Sequence, residues 1–260
     1  MTDSVDTAQW LAARRDLLEA EKEFQQARES LAAKRRALPK RALAEDYVFE
    51  GEGGSTALSQ LFGEHSQLIV YHFMFHPEWD EGCKSCSFWA DSFDGMVPHL
   101  AARDVAFGVI SHAPLAKLLA YRTRMGWRFP WLSTAGNSFN FDFNVSFTPE
   151  QLESGNAVYN YKDGPVNGRE KPGASVFLKD EDTIYQIAHE EGDSMLSPSW
   201  SFNPSLRLLL DRGQHVGRWF DNLGSGVVRR PARRKSGEFH QFAAHPDFPV
   251  NYGLYQIGDV

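Results

Sequence analysis

Leu68-Ile-Val-Tyr-His-Phe-Met-Phe75, continued by His76-Pro-Glu-Trp-Asp-Glu-Gly-Cys-Lys-Ser-Cys-Ser-Phe-Trp-Ala90, decides the architecture. Seven of the first eight residues are apolar, which is the pattern of a central strand covered on both faces. His76 to Gly82 is polar and reads as a loop. Cys86 to Ala102 then reads as a helix with Trp89, Phe93, Val97 and Leu100 on one face, kinked at Pro98. A strand, a loop and a helix follow one another, and two cysteines stand where the helix begins.

The same texture continues downstream. Val105 to Ile110 reads as a second buried strand, and Pro114 opens a helix with Leu115, Leu118, Leu119 and Met125 inward and Gly126 as terminator. Val176–Leu178 and Thr183–Ile187 read as a hairpin around Asp180-Glu-Asp182, and Leu206 to Leu210 belongs to a last amphipathic helix. Upstream, Tyr47-Val-Phe-Glu50 is a short strand turned by Gly51-Glu-Gly-Gly54, and Thr56 to Phe62 is a brief helical or looped segment. The order predicts an α/β fold, a mixed sheet flanked by helices. There is no internal repeat.

Two flanking segments differ from this core. In the first forty residues Trp10, Leu17, Phe24, Leu31 and Leu38 recur every seven positions, with Ala13, Ala20 and Ala27 at the intervening seam. Leu11 and Leu18 widen the stripe, and Pro39 stops it. Two readings follow: an arm packed on its own domain, or a helix through which the chain forms a homodimer. From about Gly224 onward periodicity is lost, and Arg229-Arg-Pro-Ala-Arg-Arg-Lys235 reads as a solvated or partner-wrapping tail, with contact to nucleic acid or an anionic surface as the lesser alternative. The organisation expected is an N-terminal helical arm over 1–44, an α/β domain over 45–223 and an irregular C-terminal extension over 224–260.

Composition narrows the function classes. In 260 residues, 42% hydrophobic and 23% charged is a globular balance. A net charge of -7 argues against nucleic-acid binding through bulk charge. The longest apolar run is far short of the roughly 20 residues that cross a bilayer, so no membrane partner is expected. Met1-Thr-Asp-Ser-Val-Asp6 lacks the basic and apolar regions of a secretory signal, so the expectation is a cytoplasmic location.

Cys83 and Cys86 are the only cysteines, too few for the disulfide framework of a small secreted domain. Cys83 falls at or just before a helix N-terminus, where unpaired N–H groups favour a thiolate. Lys84 adds a positive charge, opposed by Asp80 and Glu81. The three-residue step lets Cys86 reach Cys83, so Cys83 would attack a disulfide or peroxide and Cys86 would resolve the intermediate. Two other readings stand beside this one. The cysteines with His76 or His72 could hold a metal, or the pair could be inert. His72 lies within the core strand, where a hydrogen-bonded buried histidine is the common case; His76, in the loop, is the better ligand or proton donor. Trp79, Phe88 and Trp89 surround the pair as an aromatic wall or as core packing. Gly82 permits an unusual backbone angle or the close approach of a partner chain.

Several segments carry a resemblance. Leu58-Ser-Gln-Leu-Phe-Gly63, the strand and thiol loop, Met125-Gly-Trp-Arg-Phe-Pro-Trp-Leu-Ser133 and Ser175-Val-Phe-Leu-Lys-Asp-Glu-Asp182 resemble the peroxiredoxin-like branch of the thioredoxin superfamily. More narrowly, Tyr71-His-Phe-Met-Phe75, Trp79 to Asp91, Leu115-Ala-Lys117 and Phe139-Asn-Phe-Asp-Phe143 resemble a bacterial thioredoxin-like family, domain of unknown function 899. The resemblance covers about residues 8 to 200 and implies a thioredoxin-like sheet. Two positions depart from the superfamily's patterns. Ala174 stands where thioredoxins place a cis-proline, with Pro172 two residues early. If Cys86 is aligned with the peroxide-reactive cysteine, Cys83 stands at the threonine of peroxiredoxins. The function expected is a thiol–disulfide oxidoreductase without a bound cofactor, drawing electrons from a cellular thiol donor. The alternatives are a thiol peroxidase and a non-enzymatic protein that uses the fold to bind a metal or a partner.

Overall fold

A computed structural model describes residues 4–191. The expected helix at Leu206–Leu210, the basic run at 229–235 and the domain boundary at 223/224 lie outside the described residues. In chain order the elements are α1 (Thr7–Arg36), β1 (Arg41–Ala42), β2 (Val48–Gly51), β3 (Gly54–Ala57), α2 (Leu58–Leu61) and β4 (Gln67–His72). They continue with α3 (Lys84–Ala90), α4 (Phe93–Ala101), β5 (Val105–Ser111), α5 (Leu115–Met125), β6 (Trp131–Ser133), α6 (Phe139–Asp142) and α7 (Pro149–Ser154). The small hairpin β7 (Val158–Tyr159) and β8 (Lys162–Asp163) precedes β9 (Gly173–Asp180) and β10 (Thr183–Glu191).

The main sheet runs β1-β10-β9-β4-β5-β6-β2-β3. Its centre is thioredoxin-like: β4, β5 and β6 are parallel, and the antiparallel hairpin β9–β10 lies against the other side of β4. β4 is buried at all six positions because it is inside on both faces. Ile69 and Tyr71 pack with Phe93, Phe107 and Val109 on one side. Leu68 and Val70 pack with Leu58, Phe62, Phe139 and Phe177 on the other. Alternation along one strand therefore divides the core into two layers.

The predicted hairpin turns at Glu181, with φ 53°, and β10 carries a bulge between Gln186 and Ala188. α5 ends at Gly126 in the left-handed conformation, φ 75°, as its sequence requires. The helix expected over Cys86–Ala102 is two helices, broken at Asp91 and Ser92, whereas Pro98 stays inside the second. The break is held from outside. Asp91 accepts the Trp127 Nε1–H at 2.9 Å, and Asp94 accepts the backbone N–H groups of Arg128 and Phe129 at 3.0–3.1 Å.

α1 opens with a capping box in which the Asp6 carboxylate accepts from the Gln9 N–H at 2.8 Å. Its heptad residues Trp10, Leu17, Phe24 and Leu31 are exposed, as is Leu38 just beyond it, and Ala32 is the only helix residue fully buried. The stripe therefore does not pack on its own domain among the described residues. After the helix, Arg41 and Ala42 pair with Gln186 and Tyr185, so the segment following the arm forms one edge of the sheet. Among the described residues no helix is long and apolar enough to cross a membrane.

Candidate active site

The chain leaves the sheet through Phe73, whose N–H donates to Ile110 O at 2.9 Å and whose carbonyl accepts from Ser111 Oγ at 2.7 Å. The loop beyond is tied down by cations. Lys117 Nζ donates to the carbonyls of Pro77 and Trp79 at 2.6 and 2.7 Å. Arg124 pairs with Glu81 at 2.7 Å, and Arg169 with Glu78 at 3.2 Å. The Cys83 N–H then donates to Met74 O at 3.1 Å, which brings the thiol back to the end of β4.

Gly82 makes that return possible by close approach to its own core. A Cβ there would lie 2.7 Å from Phe73 Cε1 and 3.2 Å from Tyr121 Cε1. Phe73 is wedged among Tyr121, Trp127 and Trp131, so the ring cannot yield easily. The unusual backbone angle allowed for at this position is absent, since Gly82 is not among the described glycines with positive φ.

Cys83 is the N-cap residue of α3, half-buried, and Cys86 lies one turn on, 2% exposed; both are free thiols. Their environments push them apart. The Cys83 thiol is pulled down to about 6, first by the hydrogen bond from the Cys86 thiol and further by the backbone N–H groups of Cys86 and Ser85, against a partial burial cost. The Cys86 thiol is pushed well up, first by donating to Cys83, then by burial and by the Cys83 charge. Beneath it, the fully buried Tyr71 hydroxyl hydrogen-bonds the Cys86 sulfur, and burial first of all holds Tyr71 protonated. Ser87 Oγ donates to Cys83 O at 2.9 Å and accepts from the Tyr121 hydroxyl at 2.9 Å, which fixes the first turn.

Tyr71, Ser87, Tyr121 and Lys117 belong to this site and were missed in the sequence reading. Only Tyr71 carried a local signal, since period-2 alternation puts it on the face of β4 that the thiol helix covers. Of the residues singled out, Lys84 is exposed, and hydrogen bonds rather than its charge lead the lowering of Cys83. Trp79 and Trp89 are half-buried against the core, while Phe88 is 78% exposed. The aromatic wall is therefore mostly packing, with one ring free on the thiol helix.

The metal reading requires a correction. His76 is not brought together with Cys83 and Cys86. Among the described residues, the one group of three His, Cys, Asp or Glu side chains with ligand atoms within 4.8 Å of one another is His76, His112 and Glu170. β4 and β5 finish, and β9 begins, at the same end of the sheet, which brings these three residues to one place. His72 is the hydrogen-bonded core histidine expected. Its Nδ1 lies 3.1 Å from Asn140 Oδ1 and its Nε2 2.8 Å from Ser175 Oγ, which lies 2.7 Å from His189 Nδ1. Burial, and then His189, lowers it to about 3, so its imidazole is neutral.

The family described as bacterial protein of unknown function (DUF899) matches residues 1–203. No curated protein matches the sequence. Among solved structures, peroxidoxin BcpB from Mycobacterium tuberculosis is 16% identical, with a TM-score of 0.47 over 66% of this chain and 97% of that one. Xanthomonas campestris peroxiredoxin Q is 13% identical, with a TM-score of 0.46 over 64% of this chain and 96% of its own. A Chlorobium tepidum chain described as a thiol:disulfide interchange protein, DsbE, is 13% identical, with a TM-score of 0.42 over 66% and 99%.

Proposed function

The chain belongs to the DUF899 family of bacterial proteins, and on that premise we propose that it is a thiol–disulfide oxidoreductase with Cys83 as nucleophile and Cys86 as resolving thiol. The observation that carries this reading is the opposite displacement of the two thiols: one half-exposed and pulled down to about 6, the other buried and pushed well up. The lowering favours the Cys83 thiolate at neutral pH, the form that attacks a disulfide.

The exchange proceeds in two balanced steps. The Cys83 thiolate attacks one sulfur of a substrate disulfide, forms a mixed disulfide and releases the other sulfur as thiolate. Cys86 then attacks Cys83 Sγ, and its proton passes to the departing substrate sulfur. The Cys83–Cys86 disulfide forms, the substrate leaves reduced, and a cellular thiol donor restores the dithiol. The pair would work in the cytoplasm, where such donors keep thiols reduced. A peroxidase built on Cys86 fits less well, because that sulfur is buried and holds its proton.

Equilibration of the full chain in graded thiol–disulfide buffers, read by differential alkylation, tests the proposal. Two-electron behaviour with a midpoint between roughly -180 and -300 mV is expected, with the Cys86→Ser variant trapping a mixed disulfide at Cys83. Thiols that stay reduced across the whole series would refute it. Consumption of peroxide far faster than of a model disulfide would replace it with the peroxidase reading.

A further inference from the structure

The end of the sheet that carries the thiol loop also gathers a second set of side chains. His76 follows the extension of β4, His112 follows β5 directly, and Glu170 lies three residues before β9. Residues 58 apart in sequence are thereby brought to 2.9 Å, His112 Nδ1 to Glu170 Oε1. We propose that His76, His112 and Glu170 form a binding site for a divalent first-row transition-metal ion.

Four observations support the assignment. First, one ligand atom of each residue lies within 4.8 Å of the other two. Bonds of about 2.0–2.2 Å to nitrogen and oxygen put ligand atoms on one ion roughly 3.0–3.5 Å apart, so the set closes by at most about 1.3–1.8 Å on an ion. Second, Glu170 is a carboxylate 2% exposed, and among the described residues its only ion-pair partner is His112, with no lysine or arginine against it. A buried carboxylate facing two imidazoles is a strong local demand for a cation.

Third, the outer contacts are those that orient ligands. Glu170 Oε2 accepts from the buried Ser146 hydroxyl at 2.7 Å, and an isolated backbone bridge holds the two residues together. Phe141 lies edge-on to His112 with centroids 5.1 Å apart, and Trp79 lies 6.1 Å from His76, so apolar rings flank both imidazoles. Fourth, the site has an opening, since the His112 side chain is 19% exposed. Two imidazoles and one carboxylate suit zinc, iron(II) or manganese and leave coordination positions free for water or a substrate atom. The proposal does not depend on the thiol chemistry.

The test uses the full chain carrying Cys83→Ser and Cys86→Ser, so that thiolates cannot bind the probe. After treatment with a chelator and gel filtration, it is titrated with Zn2+ by calorimetry and with Co2+ by visible absorption. One ion per chain is expected, with cobalt ligand-field bands and no sulfur charge-transfer band. His112→Ala in the same background is expected to weaken binding at least about 100-fold, beyond the loss typical of an outer-shell change. Glu170→Gln should behave alike, and His76→Ala replaces it if the buried substitution unfolds the chain. Absence of uptake by the folded double-serine protein, or uptake unchanged by His112→Ala, would overturn the proposal.

Discussion

Removing the Cys86 thiol should raise the Cys83 pKa, and the size of the rise can be worked out. The largest influence that lowers Cys83 to about 6 is the hydrogen bond from Cys86, with two backbone N–H groups behind it. A hydrogen bond to a charged group contributes about 1.5–3 kcal/mol. Cys83 is half-exposed, so solvent screening argues for the lower end, about 1.5 kcal/mol, which is about one pKa unit. Cys86→Ala should therefore move Cys83 from about 6 to about 7. At pH 6 the thiolate fraction would fall from about one half to about one tenth, and alkylation by iodoacetamide would slow about fivefold. Near pH 9 the two rates should converge. Cys86→Ser is the control, because its hydroxyl can still donate and should hold the pKa near the parent value. The assay is the pH profile of single-hit alkylation, followed by mass spectrometry. An alanine variant with the parent's profile would refute the reasoning and assign the low pKa to the backbone of α3 alone.

Two further outcomes follow from other parts of the molecule. His72 titrates near 3 when folded and near 6.5 when unfolded, so the unfolded chain takes up the proton first. Its stabilising effect is complete above about pH 6.5 and erodes below, by about 2 kcal/mol at about pH 5. The unfolding free energy from urea titration should fall by that much less on acidification for His72→Gln than for the parent, and an identical slope would contradict the assignment. Leu17 lies in the middle of the exposed heptad stripe of α1, which we propose pairs with the same helix of a second copy. The parent should then sediment as a dimer and Leu17→Glu as a monomer with unchanged Cys83 alkylation; a monomeric parent would exclude this role for the arm.

The parts of the fold legible in the sequence are those whose signal is local. β4 announces itself because Leu68 to Phe75 is apolar on both alternations, and the final hairpin because Asp180-Glu-Asp182 can bend where apolar residues cannot. The two cysteines mark the thiol site by spacing alone. The break between α3 and α4 was misplaced because its cause is distant. Asp91, which caps α3, and Asp94, in the first turn of α4, find partners for their carboxylates only once residues 127–129 arrive. Pro98 looked like the stronger signal, yet it is the sixth residue of a nine-residue helix that continues through it, at the expense of one backbone hydrogen bond. The same distinction explains the missed site residues. His112 and Glu170 are ordinary polar residues at strand ends until strand register brings them to His76. The packing need for glycine at position 82 was hidden because the ring it must clear, Phe73, lies nine residues earlier, just past the end of β4.

In the proposed exchange the buried proton on Cys86 would act as a timer as well as a hydrogen bond. Its two ties to Cys83, the hydrogen bond it donates and the thiolate charge it feels, exist only while Cys83 is a free thiolate. Once Cys83 has bonded to an incoming sulfur, that charge is gone and both ties vanish. The Tyr71 hydroxyl and the Met74 backbone remain to stabilise the emerging anion. The second attack is thus enabled by the first: the pair would rest quietly when idle and commit only with a partner in place.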